Sequence, residues 1–219
     1  MLSLMPDPAA LVAVAFGYLL GAVPFALLLG LSAGIDLRVA GTGNVGAGNL
    51  TRQAGLRFGI PAAVLDGLKG LAPILLARRL GMAEGMAAVC GVAAVVGHNW
   101  SIYLRARAGR GLATAVGAVV GIAPGLLIWT GSWAVLGWWI GGGPAGFLGW
   151  GLLAPAAVVS GQGAGTLVAA AALTIVVLVR RMQGNRGAPT DMRSRLRRMV
   201  WDTDGVVPHD ASGARKAMP

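Results

Sequence analysis

From Leu112 to Val179 the chain carries no charged residue. A spanning helix needs about 20 apolar residues. The stretch is too long for two straight spans and short for four. Breakers lie at Pro124, at the Gly141–Gly143 run with Pro144, and at Gly161–Gly165. They predict four short helices near 112–123, 124–140, 145–160 and 164–181. Three further apolar runs, near 9–31, 58–80 and 83–104, bring the expectation to about seven spans. The expected fold class is an all-α integral membrane protein, with about seven transmembrane helices in one bundle and short loops. Residues 1–181 form the expected membrane domain, and 182–219 a cytoplasmic basic tail.

Composition supports this. Of 219 residues, 56% are apolar and 12% charged, about half the charged fraction of a soluble domain. Mean hydropathy is +0.71. The 36 Gly residues sit among Leu, Val and Ala, which suits close helix packing in lipid and not a disordered linker. The first apolar stretch, Ala9 to Leu31, is too long for a signal-peptide core and follows no basic region, so it reads as a retained span. Cys90 is the single Cys, so no intrachain disulfide forms.

The net charge is +10, and half of the 18 Lys and Arg residues lie from Arg180 onward. Arg38, Arg52 and Arg57 fall in the loop near 32–57, and Arg105, Arg107 and Arg110 in the loop near 105–111. With the N-terminus outside, these loops and the tail share one side, which the positive-inside rule makes cytoplasmic. Arg78 and Arg79 fall on the other side. Such basic charge suits anionic lipid head groups, and no nucleic-acid partner is expected.

Four segments carry polar chemistry. In the first, Gly41, Gly43, Gly46 and Gly48 alternate with Thr42, Asn44 and Asn49, and Arg52 follows. Alternating Gly lets backbone N–H groups converge on an anion, and Arg52 adds a fork suited to phosphate. A flexible loop is the plainer reading. In the second, Asp66 and Lys69 are three apart within an apolar run and share a helix face. They mark a cavity, or only stabilise the bundle. In the third, His98 and Asn99 end a span. Gly109, Arg110, Gly111 and Thr114 then open the next helix, whose N-terminus favours the same anion. Trp100 and Tyr103 read as interfacial anchors. In the fourth, Thr190 or Asp191 caps a short amphipathic tail helix with Met192, Leu196, Met199 and Val200 on one face. From Asp202 onward disorder is expected, with no role for His209. With His98 and His209 the only His residues, no metal site is expected. No serine-nucleophile or Walker motif occurs, and no cofactor is expected.

The order Gly21–Phe25, Gly41–Asn49, Asp66–Gly70, Gly97–Asn99 and Gly109–Thr114 resembles the bacterial acyl-phosphate:glycerol-3-phosphate acyltransferase family (PlsY). The likeness covers roughly residues 10–125. It implies a seven-span inner-membrane enzyme whose substrates are acyl phosphate and glycerol 3-phosphate and whose product is lysophosphatidic acid, the first step of phospholipid synthesis. Thr42 stands where the family usually has Ser, and Arg110 where Lys is usual. Asn44, Asn49, Arg52, Asp66, Lys69, His98 and Asn99 match. The resemblance implies catalytic roles for His98, Asn99 and Asp66. It implies substrate or phosphate binding for Thr42, Gly43, Asn44, Gly46, Asn49, Arg52, Lys69, Gly109, Arg110, Gly111 and Thr114. At the end of the last span the family usually has a His followed by an Asn. This chain has Arg180-Arg181-Met182-Gln183-Gly184-Asn185-Arg186, in which Asn185 stands for the Asn and no His occurs. Two other classes fit the same residues. One is a divergent relative with another acceptor or no activity. The other is a transporter or binding protein for phosphorylated small molecules.

Overall fold

A computed structural model describes residues 7–106, 108–185 and 188–202, and these contain helices and no strands. In chain order they are α1 (Pro8–Ala22), α2 (Phe25–Ser32), α3 (Ala47–Ala54), α4 (Leu56–Arg79) and α5 (Glu84–Asn99). A 3-10 turn at Ile102–Leu104 precedes α6 (Leu112–Ile122), α7 (Leu126–Ile140), α8 (Gly142–Gly151), α9 (Leu153–Val159), α10 (Ala164–Gln183) and α11 (Met192–Trp201). Four segments are long and apolar enough to cross a bilayer: Pro8–Ser32, Leu56–Arg79, Glu84–Leu104 and Ala164–Gln183. The bent pair α8–α9 makes a fifth. Ile128, Trp139 and Val159 are 77%, 85% and 89% exposed, a surface that only lipid covers cheaply.

Three details correct the sequence reading. The run 9–31 is not one helix: α1 ends at Ala22 and α2 begins at Phe25. Pro24 has no N–H for the Leu20 carbonyl and pushes Val23 into an extended conformation, φ −61° and ψ 121°. The expected helix 145–160 is two helices bent by 49°. Its break falls just after Gly151, to whose carbonyl Pro155, lacking an N–H, cannot donate the helical hydrogen bond. The loop 32–57 contains a helix, α3, whose apolar face rests on a small core of Leu27, Leu37, Val45 and Leu50.

Small residues bring the spans together. A Cβ at Gly17 or Gly21 of α1 would strike the backbone of Cys90 or Ala94 in α5, and one at Gly97 would strike Tyr18. Gly70 and Gly117 likewise bring α4 and α6 into backbone contact. The main core lies among Ile74, Val95, Val119, Leu153, Leu173 and Val177. Asp191 caps α11 by accepting the Ser194 amide at 2.9 Å. Arg181 donates to Gly143 and Val200 carbonyls, and Arg198 to Met182 and Pro189 carbonyls, which docks α11 on α8 and α10. Arg107, Arg186 and His209 lie outside the described residues.

Candidate active site

The break in the first span exposes two carbonyls to the bundle. Lys69 Nζ donates to the Val23 carbonyl at 2.7 Å and stands 2.9 Å from Asp66 Oδ1. Ser101 Oγ donates to the Ala22 carbonyl at 2.6 Å. The i,i+3 spacing thus places both charges of α4 on its inner face, where both are buried. His98 Nδ1 lies 3.7 Å from Asp66 Oδ1, beyond a hydrogen bond. A Cβ at Gly109 would run into His98 Nε2, so the third polar segment passes directly over the imidazole. The amide atoms of Asn99, the Thr114 hydroxyl and His98 Nδ1 are buried without a hydrogen-bond partner in the protein. Buried polar groups are otherwise nearly always paired, so these four side-chain atoms and their neighbours are equipped for a polar ligand.

The Gly-rich loop is folded around Asn49. Its Nδ2 donates to the Ala40 and Asn44 carbonyls at 2.9 and 3.1 Å, and its Oδ1 accepts the Thr42 amide at 3.3 Å. A side chain at Gly41, where φ is +59°, would collide with Asn49 Oδ1. Asn49 therefore acts here on the loop itself. The Asn44 amide meets Thr42 Oγ1 at 3.4 Å, Asn44 Oδ1 is buried without a partner, and Gly46 caps α3. Arg52 is exposed on the last turn of α3.

The third segment and the end of α10 meet this loop. Arg180 is buried and donates to the carbonyls of Ala108 at 2.8 Å, Gly109 at 3.0 Å and Gly184 at 2.7 Å. Asn185 Nδ2 donates to the Thr42 carbonyl at 2.9 Å. Gly111, in a left-handed conformation against Asn99, opens α6, with Thr114 in its first turn. Arg110 pairs with Asp202 at 2.6 Å.

Between these elements lies a cavity of about 940 Å³, lined among others by Gly43, Val45, Ala108, Gly184 and Asn185, with Arg38, Arg105 and Arg180 supplying cations. Arg38 also forks onto Asp36, and that hydrogen-bonded guanidinium holds the Asp36 carboxyl below the ordinary carboxylate range. Of the expected site residues, Gly43 lines the cavity directly. Asp66, Lys69, His98, Asn99 and Thr114 form the adjoining interior cluster. Arg52 and Arg110 do not line the cavity. Trp100 and Tyr103, read from sequence as anchors, line it, and Trp100 Nε1 donates to Gln183 Oε1 at 2.9 Å. Arg38, Arg180 and Gln183 were not expected site residues. Arg180 carried one signal, the first charge after a long uncharged run. Arg38 and Gln183 carried none.

This geometry has relatives. A glycerol-3-phosphate acyltransferase of Geotalea daltonii is 47% identical over 107 residues, 49% of this chain and 55% of that protein. One of Rubrobacter xylanophilus is 42% identical over 127 residues, 58% of this chain and 62% of that protein. These matches span little more than half the length of the curated relatives. The crystal structure of PlsY (YgiH), an integral membrane glycerol 3-phosphate acyltransferase in its glycerol 3-phosphate form, superposes with a TM-score of 0.72. It is 30% identical and the match covers 80% of this chain and 89% of that one. Its lysophosphatidic acid form gives 0.71 at 28% identity. Residues 11–187 match the family model described as glycerol-3-phosphate acyltransferase, and the chain belongs to that family.

Proposed function

We propose that this chain is a bacterial membrane acyltransferase that transfers a fatty acyl group from acyl phosphate to glycerol 3-phosphate, forming lysophosphatidic acid for phospholipid synthesis. One observation carries the reading. The Gly-rich loop, the Gly109–Gly111 segment and the end of α10 converge through Asn185 on Thr42 and Arg180 on Ala108 and Gly109. They enclose a cationic cavity beside a buried His–Asp–Lys cluster.

Acyl phosphate is already activated, so the site must hold two phosphates and bring an acceptor hydroxyl to the carbonyl carbon. The backbone around Thr42, Gly43, Asn44, Gly46, Gly109 and Gly111 holds the phosphates together with Lys69, Arg52 and Arg110, the two arginines turning inward from outside the cavity when substrate binds. Asn49 and Thr114 support them. The hydroxyl oxygen forms the new ester bond, the acyl–phosphate bond breaks, and phosphate leaves. The proton passes to His98, beside which Asp66 and Asn99 complete the catalytic group, or to the departing phosphate.

The seven apolar stretches, counting α8–α9 as one and adding α6 and α7, each cross the cytoplasmic membrane. The N-terminus lies outside, and the polar segments and tail face the cytoplasm. At about 17 Å, α6 is shorter than the hydrocarbon core, and the Pro124 turn and local thinning of the bilayer complete its crossing.

The test is acyl transfer by purified protein in micelles, with palmitoyl phosphate and glycerol 3-phosphate. Phosphate release with lysophosphatidic acid formation is expected. No turnover of either substrate would sink the reading, and uptake of labelled glycerol 3-phosphate into vesicles without acylation would replace it with transport. Arg110→Ala raises the KM for glycerol 3-phosphate by about tenfold, the loss of one charge-assisted contact. An unchanged KM removes Arg110 from the binding site.

A further inference from the structure

We infer that Arg180 is the positioning residue of the anion site: it holds the Ala108–Gly109 backbone at the cavity wall and so fixes the segment from which Arg110, resting on Asp202 here, turns to meet a phosphate. This rests on the proposed phosphate role of Arg110.

The segment between the 3-10 turn and α6 is held under strain. Arg105 and Ala106 have φ of 51° and 60°, and Gly111 has φ of 68°. Two successive non-Gly residues in the left-handed region persist only where the surroundings over-determine them. At the start of the segment, the Ala106 amide donates to the Ser101 carbonyl at 2.9 Å, and Ser101 is itself fixed on Ala22. In the middle, Arg180 grips the two carbonyls immediately before Arg110, across 71 and 72 residues of sequence. Its third bond closes on Gly184, whose φ of +67° turns the chain around the guanidinium.

Asn185, the next residue, reaches the Thr42 carbonyl. One turn at the end of α10 therefore holds both glycine segments and sets the spacing between the Gly-rich loop and Arg110. A planar fork is required. Lysine offers a compact ammonium on a single stem and cannot span three carbonyls on two segments in this arrangement.

The experiment compares wild type with Arg180→Lys in micelles, by hydrogen exchange and by steady-state kinetics. Exchange of the 108–111 amides is expected to rise by about tenfold while α1 and α5 stay unchanged, and KM for glycerol 3-phosphate to rise by about tenfold with kcat kept within about threefold. In Arg180→Ala, added guanidinium ion is expected to restore part of the lost affinity, which a general loss of stability would not allow. Unchanged 108–111 exchange overturns the inference, as does an unchanged KM in an active enzyme. Loosening of α1 and α5 to the same extent, or an Arg180→Lys chain that does not fold, also overturns it, because Arg180 is then a general stabiliser. If wild type shows no acyl transfer, the proposed reaction fails, while the exchange comparison still decides whether Arg180 holds the segment.

Discussion

Replacing Lys69 by Met takes one charge out of an ion pair inside the bundle. Lys69 Nζ is 2.9 Å from Asp66 Oδ1, and the two side chains are 1% and 2% exposed. The carboxylate would stay buried and lose its counter-charge, which costs about 3–5 kcal/mol. The Val23 carbonyl keeps the Phe25 amide at 3.1 Å, so losing its bond to Lys69 adds only about 1 kcal/mol. In a chain of this size each kcal/mol moves the melting temperature by about 2–4 °C. The expected fall for Lys69→Met is therefore about 8–24 °C. Asp66→Leu should fall comparably, because it strands a buried ammonium. The double variant leaves no uncompensated charge, so it should recover most of the loss, with a coupling of about 2 kcal/mol or more. The assay is thermal unfolding of all four chains in one detergent, followed by tryptophan fluorescence. If the two single losses simply add in the double variant, or Lys69→Met melts within about 2 °C of wild type, the pair is not the buried, mutually dependent unit described here.

Two further outcomes can be checked. Gly117→Val would drive a side chain into the Gly67 carbonyl and force α4 from α6, costing about 2 kcal/mol or more. Gly131→Ala in α7 meets open space and should gain about 0.5–1 kcal/mol of helix propensity. Opposite shifts in melting temperature support the packing, and equal shifts count against it. The Asp191 carboxyl accepts the Ser194 amide, which holds it below its ordinary value of 3.8. The unfolded chain binds that proton more readily, so the cap stabilises α11 fully above the ordinary value and loses its effect as pH falls through the lower folded one. Asp191→Asn should flatten this dependence, read as α11 amide protection corrected for intrinsic exchange. A wild-type profile as flat as the variant's would contradict it.

The long apolar helices were legible because one property, hydropathy over about 20 residues, decides them. α4, α5 and α10 fall within a few residues of their expected limits. The breaks were less legible. Pro24 and Pro155 are visible in the sequence, yet a proline inside an apolar run either kinks a helix or ends it, and Pro61 and Pro73 stay inside α4. What separates the cases at Val23 is a buried ammonium 46 residues away waiting for a carbonyl. The chemistry-bearing segments were legible as types, because several of them stand in one order along the chain, although the Gly-Asn segment alone reads as plainly as a flexible loop. Their spacing was not, since it is set by Arg180 and Asn185 from the far end of the chain. Asn49 shows the same limit from the other side: its residue type suggests a ligand contact, whereas its neighbours turn it inward to fold its own loop.

The interruption at Val23–Pro24 also bears on how this chain can change over generations. Ala22 and Val23 offer their carbonyls to Ser101 and Lys69 only while the first span is severed there. A descendant that straightens the span by losing Pro24 would have to find the ammonium another acceptor, or discard the charge together with Asp66. Positions 24, 66, 69 and 101 should therefore drift as one inherited unit, although they lie on three separate crossings of the membrane.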